Sequence, residues 1–146
     1  MLSVDTNILI YAANPESENH KEAVEFLEWA SSSGDHQYAT SELVLVELYM
    51  QLRNPRIFAA PLTPSEANSY CQTLRSQPNW RHLDYQPIVA DKLWDWASKT
   101  NGGFREIIDA RLALSLRHHG VTRFATANVK HFQNFGFTEV WNPLLP

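Results

Sequence analysis

Apolar residues along this chain fall in short blocks, and their spacing alternates between the period of a strand and that of a helix. Met1-Leu2-Ser3-Val4 is mostly apolar and ends at Asp5, the pattern of a buried first strand running into Asp5-Thr6-Asn7. From about His20 to Ala30, Ala23, Val24, Phe26, Leu27 and Ala30 share one helical face, with Lys21, Glu22, Glu25 and Glu28 on the other. Gly34-Asp35 breaks that pattern, and Gln37 to Thr40 predicts a short second strand. Ser41 is suited to cap a helix running to about Leu52, which Asn54-Pro55 stops. Thr63-Pro64-Ser65-Glu66 signals another helix start, with a cap, a proline at the first helical position and a returning Glu; it predicts helix to about Ser76. Arg81 to Tyr85 predicts a third strand. Ile88 to Lys99 predicts a helix with Val89, Leu93 and Trp96 on one face. After a Gly102-Gly103 loop, Glu106 to His118 predicts a helix closed by Gly120. Arg123 to Thr126 and Phe137 to Trp141 supply the fourth and fifth strands.

Strands alternating with helices in this way predict an α/β fold with a largely parallel sheet. Ligands of such sheets bind outside the carboxyl ends of the strands, which directs attention to Asp5 and Thr126. At 146 residues, with no repeat and no linker-like stretch, one domain over 1–146 is expected.

Composition narrows the class. A hydrophobic fraction of 44% with 19% charged residues excludes a disordered chain. The richest apolar run, Leu43 to Met50, is interrupted by Glu47, so no membrane span is expected. The N-terminus lacks a basic region and meets Asp5 early, unlike a secretory signal. A lone Cys71 fits a reducing, cytoplasmic setting, and no Cys/His zinc pattern is present. Net charge is −4, at first sight unpromising for a nucleic-acid partner. The distribution is uneven, however. Residues 1–50 carry nine acids and one base, a balance of −8; residues 51–146 carry seven acids and eleven bases, a balance of +4.

Three acids stand out. Asp5 ends an apolar strand, where it can cap the following helix or serve a site. Glu47 sits in a helix apolar on almost every side, so it needs a partner, such as Arg53, or a metal. Asp109 opens an apolar helix with Glu106 three residues earlier; either can simply complement the helix dipole. Arg111, two residues on, does not face Asp109 along the helix. Asn128, Lys130 and His131 follow the fourth strand and read, taken alone, as loop residues. If the three acids converge, repulsion near 4 Å is roughly 4 kcal/mol per pair at an effective dielectric of about 20. A hard divalent cation, Mg²⁺ or Mn²⁺, would relieve it and could polarise a phosphodiester.

The residues in order resemble those of PIN-domain ribonucleases, and among them the VapC-type toxins of bacterial VapBC toxin–antitoxin systems. Val4-Asp5-Thr6-Asn7-Ile8-Leu9 looks like the first acidic motif of that family, and Ser41 to Glu47 like the second, with Glu47 in the acidic place. Ile108 to Ala113 resembles the third, and Thr126-Ala127-Asn128 with His131-Phe132 stands where the fourth belongs. Asn54-Pro55-Arg56 and Pro61 to Ala67 resemble the connecting segments of one subgroup. The resemblance implies a three-layer α/β/α fold around a five-stranded, mostly parallel sheet. It implies a Mg²⁺- or Mn²⁺-dependent endoribonuclease, homodimers and a cognate VapB-like antitoxin.

On that resemblance Asp5, Glu47 and Asp109 are the metal-binding carboxylates, Thr6 a supporting hydroxyl, and Asn128 an uncharged residue where many members carry Asp. That departure favours one tightly held ion, or a second that binds only with RNA phosphate, and leaves Asn128 a catalytic candidate that orients the metal's ligands or the water. Lys130 is the leading candidate to hold the RNA backbone, followed by Arg105 and Arg81. Two rivals remain at this point. One is a catalytically idle PIN-like domain that binds RNA or a protein, which Asn128 keeps open. The other is a phosphoryl-transfer domain with a nucleophilic Asp5, which would favour a second Asp where Asn7 stands. Core packing is the expected place of Trp29, Trp94 and Trp96.

Overall fold

The computed structural model describes residues 1–34 and 37–146; Asp35 of the expected break lies outside them. Twelve elements follow in order among the described residues. They are β1 (Leu2–Val4), α1 (Thr6–Ala13), α2 (His20–Ser31), β2 (Tyr38–Ser41), α3 (Glu42–Leu52) and α4 (Pro64–Arg75), then β3 (Arg81–Leu83), α5 (Pro87–Lys99), α6 (Glu106–His118), β4 (Arg123–Ala125), α7 (Val129–Phe132) and β5 (Glu139–Trp141). The strands form one sheet in the order β3-β2-β1-β4-β5, every pair parallel. The short α7 was expected as loop, and the outer strands are shorter than their sequence pattern. Edge strands gain ladder bonds on one side only, so Tyr85 and Phe137 fall outside them.

Strand β1 lies at the centre and all three of its residues are buried, as a parallel strand covered on both faces must be. Its one polar member, Ser3, donates from Oγ to Ala39 O at 2.8 Å. The helices pack in two groups, α1 to α4 and α5 to α7. Their apolar stripes meet the sheet through Ile8, Leu48, Leu52 and Leu116. Thr63 caps α4 by accepting from Glu66 N, with Pro64 next. Gly120 ends α6 at φ +84°, a conformation that glycine adopts without strain.

Trp29 and Trp94 are not core residues: they are 50% and 64% exposed. Both lie on helix faces turned from the sheet, and Val46, Met50 and Ile88 are exposed as well. No helix among the described residues is long and apolar enough to cross a membrane.

Candidate active site

Parallel register sets the geometry here. Val4 pairs with Ala125, so the next residues, Asp5 and Thr126, emerge side by side at the carboxyl edge. Asp5 N donates to Ala125 O at 2.9 Å, closing the ladder. Asp5 is then the N-cap of α1. Its Oδ1 accepts from Thr6 N at 2.8 Å, while Oδ2 accepts from Thr126 Oγ1 at 2.6 Å and Asn7 Nδ2 at 3.0 Å. Capping and site membership are therefore not alternatives for Asp5; one carboxylate does both. Asn7 Nδ2 also donates to Thr126 Oγ1 at 3.4 Å, and the two hold the following turn: Asn7 Oδ1 accepts from Ala127 N at 3.2 Å, and Thr126 Oγ1 accepts from Asn128 N at 3.0 Å.

Asp5 is 8% exposed. Burial lifts its pKa from 3.8 to about 6; the hydrogen bonds from Thr126 and Thr6 oppose the rise, and the charges of Glu47 and Asp109 add to it. The carboxylate is thus costly to ionise without a cation. Glu47, half-buried in α3, accepts from Thr6 Oγ1 at 3.0 Å. Thr6 therefore ties Asp5 and Glu47 together, one through its amide and the other through its hydroxyl. Arg53 is not the partner of Glu47, because its guanidinium lies over the Tyr49 ring at 5.8 Å.

Asp109 stands in the first turn of α6, with His131 Nδ1 3.0 Å from its Oδ2. His131 had no role in the sequence reading; α7 turns it back onto Asp109. Asp5, Glu47, Asp109, Asn7, Asn128 and Arg111 line one cavity of about 140 Å³, closed on its apolar side by Ile10, Leu43 and Leu112. Arg111 lines the same pocket as Asp109 without an ion pair to it, in keeping with their spacing along the helix. Its long stem carries it into the pocket that Asp109 enters directly. Asn7 and Arg111 lie within the first and third acidic motifs but carried no role of their own there; Thr126 follows from the strand-end rule.

The carboxylate oxygens of Asp5, Glu47 and Asp109 are not all within 4.8 Å of one another; among the described residues that closeness belongs to Glu42, His82 and Asp84. A hard cation that keeps several waters suits the wider, all-oxygen set. The tighter group is already served internally. His82 Nε2 lies 2.7 Å from Glu42 Oε2 and 3.4 Å from Asp84 Oδ1, and Arg75 Nε donates to Glu42 Oε2 at 3.2 Å. Of the basic residues expected near the site, Lys130 lines a neighbouring cleft with Glu106, His131 and Asn134. Arg105 is exposed just before α6. Arg81 is exposed at the start of β3, two strands away from β1, and does not line the pocket.

Comparison with known proteins matches this architecture. Residues 2–137 match the model of the PIN domain. The chain is 45% identical over 144 residues to Ribonuclease VapC24 of Mycobacterium tuberculosis, covering 99% of this chain and 97% of that protein. Among solved structures, VapC20 of M. tuberculosis, described as a sarcin-ricin loop cleaving toxin, superposes with a TM-score of 0.65 at 20% identity, covering 85% of this chain and 87% of the other. FitAcB of Neisseria gonorrhoeae gives 0.65 at 19% identity, with 98% of each chain covered. These two share the α/β/α fold. With the family model spanning nearly the whole chain and a VapC ribonuclease at 45% identity, the chain belongs to the PIN domain family, in its VapC branch.

Proposed function

We propose that this chain is a metal-dependent endoribonuclease acting as the toxin of a toxin–antitoxin pair. The observation that carries the reading is the shared pocket of Asp5, Glu47 and Asp109, three carboxylates with no Lys or Arg paired to any of them among the described residues. The VapC ribonuclease relative supports RNA as the substrate. Asp5, Glu47 and Asp109 would hold one Mg²⁺ or Mn²⁺ through oxygen, with water completing the shell. When bound, that ion supplies Lewis acidity toward a phosphodiester and a lowered pKa for coordinated water.

The chain's own residues do the rest. Thr6 holds Glu47 at its spacing from Asp5, and Thr126 and Asn7 orient the Asp5 carboxylate. His131 restrains Asp109. Asn128 lends an amide at the rim of the pocket without adding charge. Lys130, in the adjoining cleft, and Arg105, just before α6, would meet the RNA backbone; Arg81 would contribute only at a distance, through the field of the basic segment.

The exposed Trp29, Val46, Met50 and Trp94 fit protein partners, a second copy and a VapB-like antitoxin. Light scattering at two concentrations tests the dimer. Action on RNA in the cytoplasm accords with the buried free thiol of Cys71.

The direct test is cleavage of a single-stranded RNA with Mn²⁺ and with chelator, alongside calorimetric titration of Mn²⁺. Wild type should bind the ion and cut only with it, and Glu47→Gln should lose both. Cleavage that survives chelation and Glu47→Gln rejects the metal-dependent reading and leaves the PIN fold to some other use.

A further inference from the structure

Five arginines of this chain can be compared by what faces each guanidinium. Arg75 and Arg123 pair with Glu42 and Glu139. Arg53 and Arg117 lie over the rings of Tyr49 and Phe137. Arg111 has none of these. It lines the pocket of Asp5, Glu47 and Asp109, yet makes no ion pair with any of them among the described residues. Its Nε is sealed from solvent and meets no acceptor. A buried guanidinium nitrogen is ordinarily paired, and the rest of this half-buried side chain forms no ion pair either. Arg111 therefore keeps its charge unclaimed in an acidic pocket, where an arriving anion finds it.

We infer that Arg111 is a phosphate-binding residue of this pocket, gripping an RNA phosphodiester beside the carboxylate-held cation. The inference rests on the ribonuclease reading above and names a residue that reading does not use. Charge supports it. The three ionised carboxylates and Arg111 together carry −2, because Asn128 adds nothing. One divalent cation brings the pocket to neutrality, and a phosphodiester then enters without net repulsion. Without Arg111 the loaded pocket stays at −1 and repels its substrate. Arg111 thus provides the positive charge that a second cation would supply in a site with a fourth carboxylate. Geometry agrees as well. The two Nη atoms, which unlike Nε are not sealed from solvent, form the planar end of a fork that matches two phosphate oxygens, which a lysine cannot do.

The test combines RNA binding with cleavage. Anisotropy of a labelled single-stranded RNA is measured in Ca²⁺ across a salt series, with gels checking that the RNA stays intact. Cleavage is measured in Mn²⁺. Arg111→Gln should weaken RNA binding by roughly 10- to 100-fold and reduce the salt slope by about 0.7. Cleavage should fall at least as far, with Mn²⁺ binding and the unfolding midpoint retained. Arg111→Lys should restore the salt slope and only part of the rate, a pattern that a purely structural role would not produce. If wild type cuts RNA and Arg111→Gln binds it with unchanged affinity and slope, Arg111 does not hold phosphate, while the ribonuclease reading stands. Loss of Mn²⁺ binding in Arg111→Gln makes Arg111 a brace of the carboxylates and overturns the inference. If wild type neither binds nor cuts RNA, the ribonuclease reading fails and this inference with it.

Discussion

Two groups of acids lie where strands of this sheet run out, and they differ in what faces them. Glu42, at the start of α3, has the His82 imidazole at 2.7 Å and the Arg75 guanidinium at 3.2 Å; Asp84 shares the same imidazole at 3.4 Å. Asp5, Glu47 and Asp109 are faced by Thr6, Asn7, Thr126 and His131, and the arginine in their pocket pairs with none of them. The first group has its ligand atoms closer together; the second carries more uncompensated negative charge, with one member buried. Charge balance, more than proximity, separates a surface ion-pair network from a pocket that needs something from outside.

The sharpest way to break that comparison is catalysis. Asp5→Asn should lower RNA cleavage on the order of 1,000-fold, while Glu42→Gln should leave it within about twofold, both read as initial rates in saturating Mn²⁺. Equal losses in the two variants would erase the distinction.

Stability against pH comes next. The Asp5 carboxyl keeps its proton to about pH 6 when folded, against 3.8 ordinarily. Between those values the folded state binds more protons than the unfolded, so stability falls as pH rises through the window and stays low above it. The difference corresponds to about 3 kcal/mol. Metal-free Asp5→Asn should therefore be more stable than wild type by up to that amount at pH 8 and show no such gain at pH 3.5, measured by urea unfolding. A constant difference at both pH values would place the cause outside this carboxyl.

Cation protection is somewhat smaller. At 100 times its dissociation constant, Mn²⁺ should stabilise wild type and Glu42→Gln alike by about 2.7 kcal/mol. Asp5→Asn should gain almost none, as read from the shift in unfolding midpoint. The smallest effect is Arg75→Ala, which removes a half-exposed pair and should cost only about 0.2–1 kcal/mol, diminishing in high salt.

Local signals in the chain translated faithfully where one element's own chemistry decided the outcome. Ser41 and Thr63 cap their helices, Pro64 follows the second cap, and Glu106 to His118 is the helix its period announces. Site membership was partly legible: Asp5 and Thr126 follow from the strand-end rule, and Glu47 from being a carboxylate among apolar residues. What faces each group was not. Arg53 lies close to Glu47 in sequence and still points to Tyr49, while Arg111 lines the pocket and His131, on a short helix that no period reveals, contacts Asp109 from the neighbouring cleft. Trp29 and Trp94 carried the bulk of core residues and went to solvent, while Ala23, Ala30 and Leu93 are the buried residues of the same helices.

By itself, then, the sequence determined the parallel α/β order and the caps, since each depends on propensity and period within one element, and it offered the three acids as candidates. It also carried the polarity of charge, nine acids against one base in the first 50 residues and a surplus of four bases after them. Only the tertiary structure decided which acids are compensated. Residues 42, 75, 82 and 84 come together where α3, α4 and β3 meet, with the Arg75 guanidinium on Glu42. The acids of the pocket shared by residues 5, 47, 109 and 111 have no Lys or Arg paired to them among the described residues and, for Asp109, only the His131 imidazole. The reason is physical: an ion pair depends on distances of a few ångströms between elements far apart in the chain, which no local pattern encodes.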